Sequence, residues 1–340
     1  MTATEAKGAA VGRGLSRGLV TVTTATVLLF IFSAMFASSS VSKGALLGML
    51  PFAAVLAIVA LGQTLVIQQG GIDLSVVGSV SIVVVITTRQ AGGEDSKLLA
   101  AVALALAVAA AAGIVNGLLI GRLGLNAIVA TLGTDTLLMS GVFAISGGIP
   151  RTTTDLMADI GGGLTFGIPN SVYFAVVVTA ITATVVKQTQ AGRRFEAVGA
   201  NPMAMFTTGM PIQRHRIGAY FWAQIHYWLG GVLLAGIVTE PTAFQGRAYL
   251  LPSVAAVVLG GTSLLGGKGN LVATAVAALF LTQLVQFALA LGVGFASRTL
   301  VQAAALTVGI ALYTIDWRSV LGRLRRSTSD EPGPSRLPVG

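Results

Sequence analysis

Lys187-Gln188-Thr189-Gln190-Ala191-Gly192-Arg193-Arg194-Phe195-Glu196-Ala197-Val198-Gly199-Ala200-Asn201-Pro202-Met203-Ala204-Met205-Phe206-Thr207-Thr208-Gly209-Met210-Pro211-Ile212-Gln213-Arg214-His215-Arg216 is a polar, basic interruption in a chain that is otherwise almost continuously apolar. It reads as the cytoplasmic hinge between two membrane halves. Its inner part carries start and stop signals for one short helix. Asn201 suits the cap, because its side-chain oxygen accepts from the orphan N–H groups of a first turn, and Pro202 suits the first helical position, where no N–H is needed. Gly209 suits a left-handed residue after the last turn, and Pro211 prevents continuation. Such a helix presents Met203, Met205 and Phe206 between Arg193, Arg194, Arg214 and Arg216. These apolar side chains have no membrane to enter from a basic loop, so they are buried either by a protein partner or by folding back onto their own bundle.

Working outward from the hinge, the composition decides the class. The chain has 340 residues, of which 54% are hydrophobic and 10% charged, with a mean hydropathy of +0.85. That balance describes an all-α polytopic membrane protein. There is no cysteine, which excludes disulfides and thiolate chemistry. The net charge of +9 sits in short flanks between apolar runs, so it reflects positive-inside topology and excludes nucleic acid as a partner.

A span needs about 20 apolar residues. Leu19 to Ala37 reads as an uncleaved signal-anchor, its apolar core being long for a cleaved signal. Further spans are expected over Ala45–Ile67, Leu74–Thr88, Leu98–Ile120, Ile128–Ile145, Val172–Val186, Ile217–Val238, Leu251–Leu265, Leu271–Leu291 and Leu300–Ile315. That makes about ten transmembrane helices, six before the hinge and four after. Lys7, Arg13, Arg17, Arg122, the hinge, Lys268 and Arg318, Arg323, Arg325 and Arg326 then share one side, and both termini are cytoplasmic. Glu94, Asp95, Asp155, Asp159 and Glu240 fall outside, as do Lys97, Arg151 and Arg247. Residues 1–18 form a cytoplasmic segment, 19–317 the transmembrane domain with its 187–216 loop, and 318–340 a cytoplasmic tail that reads as disordered. Thr152 to Asn170 is an outer loop with room for a short re-entrant turn.

Glycines break two spans: Gly70-Gly71-Ile72-Asp73-Leu74-Ser75, and Gly260-Gly261-Thr262-Ser263-Leu264-Leu265-Gly266-Gly267. Irregular backbone at membrane depth needs protein or water to satisfy it, so both breaks belong inside the bundle, one in each half, as in a weak internal repeat around a pathway. Close helix packing is the competing reason for the glycines. Asp73 and Asp135 fall within or beside spans, where neither faces lipid. Asp135 is expected either in a polar lining or in local bonds to the Thr131 and Thr134 hydroxyls. In the seventh span Gln224, His226 and Tyr227 are deep enough to line a path, whereas Tyr220 and Trp222 lie where an aromatic belt is normal. No catalytic constellation and no metal spacing is present: Gly266-Gly267-Lys268-Gly269 lacks the phosphate-loop spacing, and His215 and His226 are far apart. The chain is therefore not an enzyme, needs no cofactor of its own, and draws energy from a partner or an ion gradient.

These motifs resemble a family. Gly70 to Ser75, Asn116-Gly117, Asn126, Thr131-Leu132-Gly133-Thr134, the run Gly192-Arg193-Arg194 through Gly199-x-Asn201-Pro202 to Gly209-Met210, and Ala255-Ala256-Val257-Val258-Leu259-Gly260-Gly261-Thr262-Ser263-Leu264-x-Gly266-Gly267 look like the permease subunits of ribose-type (monosaccharide) ABC importers, over residues 45 to 317. The resemblance implies an ABC importer permease fold in the cytoplasmic membrane with broken helices, a second permease copy as homodimer or paralogue, and a cytoplasmic ATPase subunit that uses ATP and Mg. It also implies an extracytoplasmic sugar-binding protein. By the same analogy Asn201, Pro202, Met203, Ala204, Met205, Phe206, Thr207, Thr208 and Gly209 form the coupling helix that rests on the ATPase. Asp73, Asn116, Thr134, Asp135, Gln224, His226, Tyr227, Thr262 and Ser263 are the candidates for the translocation path, with Gly70, Gly71, Gly78, Gly260, Gly261, Gly266 and Gly267 as structural glycines around it.

The chain departs from the family pattern at several places. Val77 lengthens the first motif before Gly78, Leu250 and Pro252 stand where an acidic pair is frequent, Ala223 and Gln224 replace a Ser-Gly pair, and Asp135 replaces an apolar residue. The substrate expected is a monosaccharide or small polyol. Rival readings are a nucleoside or branched-chain amino acid ABC permease, an ion-coupled transporter with Asp135 and His226 as proton carriers, and a receptor-like scaffold.

Overall fold

The computed structural model describes residues 16–149 and 151–294. The expected span Leu300–Ile315, the tail beyond it, and Lys7 and Arg13 lie outside these residues. Within them the chain forms α1 (Arg17–Phe36), α2 (Lys43–Gln68), α3 (Val76–Ala91), α4 (Asp95–Gly117, continued by a π turn to Arg122) and α5 (Ala127–Ser146). There follow α6 (Asp155–Gly162), a hairpin of β1 (Leu164–Thr165) and β2 (Ile168–Pro169), α7 (Asn170–Gln188), α8 (Gln190–Ala200) and α9 (Pro202–Thr207). α10 (Ile212–Ile237), α11 (Leu250–Leu259) and α12 (Leu271–Ala290) complete the order. The chain is all-α and polytopic: six of these helices are long and apolar enough to cross a membrane on their own.

α3 lies at the centre. All but two of its 16 residues are buried, and it is surrounded by α4, α5 and α10. A helix buried on every face cannot be a surface element. α2 is buried without interruption from Ala53 to Gln68 and packs on α10 and α12. The helices approach closely because glycines stand where they cross. A methyl group at Gly62 would meet the Ala223 carbonyl oxygen at 2.8 Å, and one at Gly231 would meet Val83 at 2.8 Å. Small residues admit this contact without a hydrophobic drive between helices.

Most expected spans coincide with helices, but the eighth does not. Over Leu251–Leu265 the helix ends at Leu259, and ten residues rise only about 15 Å, half of a hydrocarbon core of about 30 Å. Gly260 lies against the start of α12, where a Cβ would meet the Thr274 amide nitrogen at 2.7 Å, and Gly261 turns the chain with φ +81°. The segment preceding α11 is a 3-10 turn, Gln245–Tyr249, packed on α3. Arg247 is thus held against the bundle rather than carried in a free outer loop.

Two loops also hold more structure than expected. The outer loop forms α6 and the hairpin, with α6 seated on the end of α10, where a Cβ at Gly161 would meet Gly236 Cα at 2.9 Å. The hinge contains α8 as well as α9. Thr189 caps α8, its hydroxyl accepting from Gly192 N at 3.0 Å.

Candidate transport site

Asp73 follows the break after α2 and is fully buried. Its carboxylate accepts from the Ser75 backbone N–H at 2.9 Å and from the Ser75 hydroxyl at 2.5 Å. Three neighbouring helices then close on this loop. Asn116 of α4 donates to Ser75 Oγ at 3.0 Å, and Gln224 of α10 donates to the same oxygen at 2.9 Å and to Asp73 Oδ2 at 3.4 Å. Thr134 of α5 donates to Asn116 Oδ1 at 2.5 Å. Gln63 of α2 donates its amide to Tyr227 Oη at 2.7 Å and to the Asp73 carbonyl at 3.2 Å, while its oxygen accepts from Asp73 N at 3.3 Å. Five elements therefore share one buried polar cluster, in which Ser75, Gln224 and Gln63 satisfy groups that the helix break leaves open.

The arrangement follows from helical spacing. Tyr220, Gln224 and Tyr227 recur on one face of α10 and turn toward the break. Tyr220 is 1% exposed and packs its hydroxyl over Gly71, where no Cβ would fit; it is not a belt residue. Trp222, exposed at 55%, is placed as a belt residue would be. His226 faces the opposite way, toward α7: Nδ1 donates to the Trp222 carbonyl at 2.7 Å and Nε2 accepts from Thr182 Oγ1 at 3.0 Å. His226 is thus not brought to Gln224 or to Asp135.

Asp135 does not make the expected local bonds to threonine hydroxyls. Its Oδ1 accepts instead from Gly78 N at 2.6 Å, across to α3. Thr131 Oγ1 is engaged by Leu74 N at 3.1 Å and donates to the Ala127 carbonyl. Gly78 is required at that crossing, since a Cβ there would meet the Asp135 carbonyl oxygen at 2.8 Å.

Thr262 and Ser263 lie elsewhere. Thr262 is buried and Ser263 exposed, and among the described residues no hydrogen bond links either to the Asp73 cluster. Their loop instead returns to the end of α2. Gly267 N donates to the Gln68 carbonyl at 2.8 Å, and Gly266 and Gly267, with φ +94° and +84°, would meet Gly199 O and Ala200 Cα at 2.9 Å if they carried a Cβ. A Cβ at Gly199 would itself collide with the Gln68 carbonyl oxygen. Gln69 Nε2 donates to the Phe195 carbonyl at 2.8 Å, and Gln68 Nε2 to Glu196 at 3.3 Å, which also pairs with Lys187. Both glycine breaks thus touch α8 by backbone, a juncture that sequence spacing alone did not signal.

From this juncture α9 projects. Asn201 caps it, Oδ1 accepting from Ala204 N at 3.0 Å, and Gly209 has φ +77°. No residue of α9 is buried; Met203 and Phe206 are 73% and 67% exposed. The apolar side chains do not fold back onto the described bundle.

A family profile described as branched-chain amino acid transport system / permease component matches residues 45–315. Among individual proteins, the ribose import permease protein of Escherichia coli (strain K12) is 35% identical over 230 residues, covering 66% of this chain and 71% of that protein. A probable ABC transporter permease protein of Sinorhizobium fredii is 34% identical over 229 residues, with 67% and 68% covered. The autoinducer 2 import system permease protein of Photorhabdus temperata is 32% identical over 241 residues, with 67% and 71% covered. No solved structure matches the chain.

Proposed function

Because this chain belongs to the branched-chain amino acid transport system / permease component family, we propose that it moves a small neutral sugar inward across the cytoplasmic membrane as one part of a larger machine. It is a multi-pass permease subunit of an ABC importer. Its substrate is a monosaccharide, and ribose is the first to test, being named for a relative with 35% identity. Nothing in the fold favours a branched-chain amino acid or nucleoside over it.

The observation that carries the mechanism is α9. A capped helix with two exposed large apolar side chains among arginines needs a protein groove, and the groove belongs to a cytoplasmic ATPase that holds ATP and Mg. Both termini are cytoplasmic, a second permease copy completes the unit, and an extracytoplasmic binding protein delivers the sugar. When the ATPases close, α9 moves with them. α8 is joined to α9 through the single residue Asn201 and contacts the end of α2 and the second glycine break, so the motion would reach the Asp73 cluster through Gln68 and Gln69 and α11 and α12 through Gly266 and Gly267. Asp73, Asn116, Thr134 and Gln224 hold the break in register, and the path opens or closes around it.

The test is purification of the complex from its native membrane with Phe206→Asp beside the unaltered chain. A charge at the centre of the docking surface should abolish recovery of the ATPase and ATP-dependent uptake while leaving the permease folded, since Phe206 is largely exposed. Undiminished co-purification and uptake in the variant would remove α9 from the coupling role. The ion-coupled reading predicts uptake by the solitary chain with Asp135 and His226 cooperating; His226 is saturated by Trp222 and Thr182, which disfavours it.

A further inference from the structure

Arg247 and Asp135 come from opposite halves of the chain and meet on one face of the protomer. Arg247 belongs to the 3-10 turn Gln245–Tyr249. That turn is fixed to the first turns of α3: Gly246 N donates to Ser81 Oγ at 3.0 Å, and a Cβ at Gly246 would collide with the Val77 carbonyl oxygen. Val77 immediately precedes Gly78, whose N–H holds Asp135. The depth of this site follows from its neighbours. α3 begins at the Asp73 cluster, which includes Gln224 near the middle of the 26-residue α10, and Asp135 is itself near the middle of the 20-residue α5. Non-helical backbone and a guanidinium are therefore held at mid-membrane depth, where lipid contact is unfavourable for both.

The surroundings are not sealed by the described residues. Arg247 is exposed and lies 4.3 Å from the centroid of the Phe244 ring. Phe244 meets Phe143 edge to face at 5.4 Å, and both rings keep a free surface, 39% and 45% exposed. Along α5, Thr136, Ser140 and Phe143 follow at helical spacing on the same face, with both hydroxyls exposed. Asp135 uses Oδ1 on Gly78, and no ion pair within 4.0 Å ties it to Arg247 among the described residues. A carboxylate oxygen, a guanidinium and two aromatic faces thus point away from the described core, the first two at a depth where water or a solute must satisfy them; beside them the Thr136 and Ser140 hydroxyls donate to the Leu132 and Thr136 carbonyls and keep only their acceptor lone pairs free.

We propose that Asp135, Thr136, Ser140, Phe143, Phe244 and Arg247 form one wall of the aqueous translocation path and hold a neutral polyhydroxylated solute at mid-membrane. The carboxylate accepts from sugar hydroxyls, the guanidinium donates to sugar oxygens, and the aromatic rings take the C–H face of the ring. Several weak, replaceable contacts suit a site that must release its solute. The ligand class rests on the importer reading above; the water access does not.

Because the chain has no cysteine, single substitutions test both parts. Thr136→Cys, Ser140→Cys and Arg247→Cys are made separately in the assembled complex and treated with a membrane-impermeant charged methanethiosulfonate, with Val176→Cys on the exposed flank of α7 as control. Thiols ionise and react in water and not in lipid, so the first three should label about tenfold or more faster than the control. Labelling as slow as at Val176→Cys in all three sinks the aqueous wall. Protection from labelling is then measured with ribose, galactose, xylitol and leucine. Protection by a sugar or polyol supports the ligand class; protection by leucine alone, or by none, overturns it. Absence of ATP-dependent uptake by the unaltered complex would instead defeat the importer reading, and the labelling pattern would still report on water access.

Discussion

Ser75 is the smallest member of the buried polar cluster and its node. Its hydroxyl donates to Asp73 and accepts from both Asn116 and Gln224. Ser75→Ala removes all three bonds without changing the chain's path, so two buried amides and a carboxylate lose a partner at once. Each buried group left unsatisfied costs about 1–3 kcal/mol. The purified complex should melt at a distinctly lower temperature, and Asp73→Asn, which keeps an acceptor for the Ser75 N–H, should lose less. Equal melting of all three proteins would mean the cluster does not brace the break. Gly199 and Gly218 make a second contrast. At Gly199 a methyl would collide with the Gln68 carbonyl oxygen, whereas nothing lies within 4 Å at Gly218. Gly199→Ala should abolish stable expression of the complex. Gly218→Ala, in the interior of α10, should raise the melting temperature slightly, helix propensity favouring alanine by about 1 kcal/mol. Comparable expression and melting for the two would show that the α2–α8 contact yields easily.

At the scale of elements, α9 was readable because its signals are local. Asn201, Pro202, Gly209 and Pro211 each act on their immediate backbone, and the helix stands where those residues put it. α1, α2, α4, α5, α7 and α12 were readable for a different reason: a span must be apolar over its whole length, so the pattern is long and tolerant of error. α11 was readable in part: the glycines from Gly260 marked the break in its span, whereas the contact with α12 that the break serves is a long-range fact that hydropathy does not carry. The depth of Arg247 was hidden in the same way, since charge in a loop reads as solvent until the loop is seen packed on α3. Of the candidate path residues, Asp73, Asn116, Thr134 and Gln224 are joined in one cluster, while His226, Thr262 and Ser263 stand apart from it. Residue type marked them as polar and deep, and only the helix rotations sorted them into groups.

For the whole molecule, the wall of polar groups on α5 lacks an opposing surface among the described residues, and the apolar window of α5, long enough to cross a membrane, is only 22% buried. A second copy placed by two-fold symmetry would supply the same groups from the other side, since such an interface uses one patch twice. Native mass measurement of the intact complex should therefore find two permease chains per assembly; a single chain with its ATPases would require the path to close on another protein. The juncture of Gln68, Gly199 and Gly267 bears on a different kind of question. Three segments remote in the chain meet there through close main-chain contacts, to which Gln68 and Gln69 add side-chain bonds to α8. Recombination between this gene and that of a relative can therefore not be placed freely. A hybrid taking its first spans from one parent and its last from another inherits a working joint only if the end of α2, the 199–200 pair and the 266–267 pair come from parents with the same backbone spacing at that point, so the functional crossovers should cluster in the loops at the opposite ends of the helices from this joint.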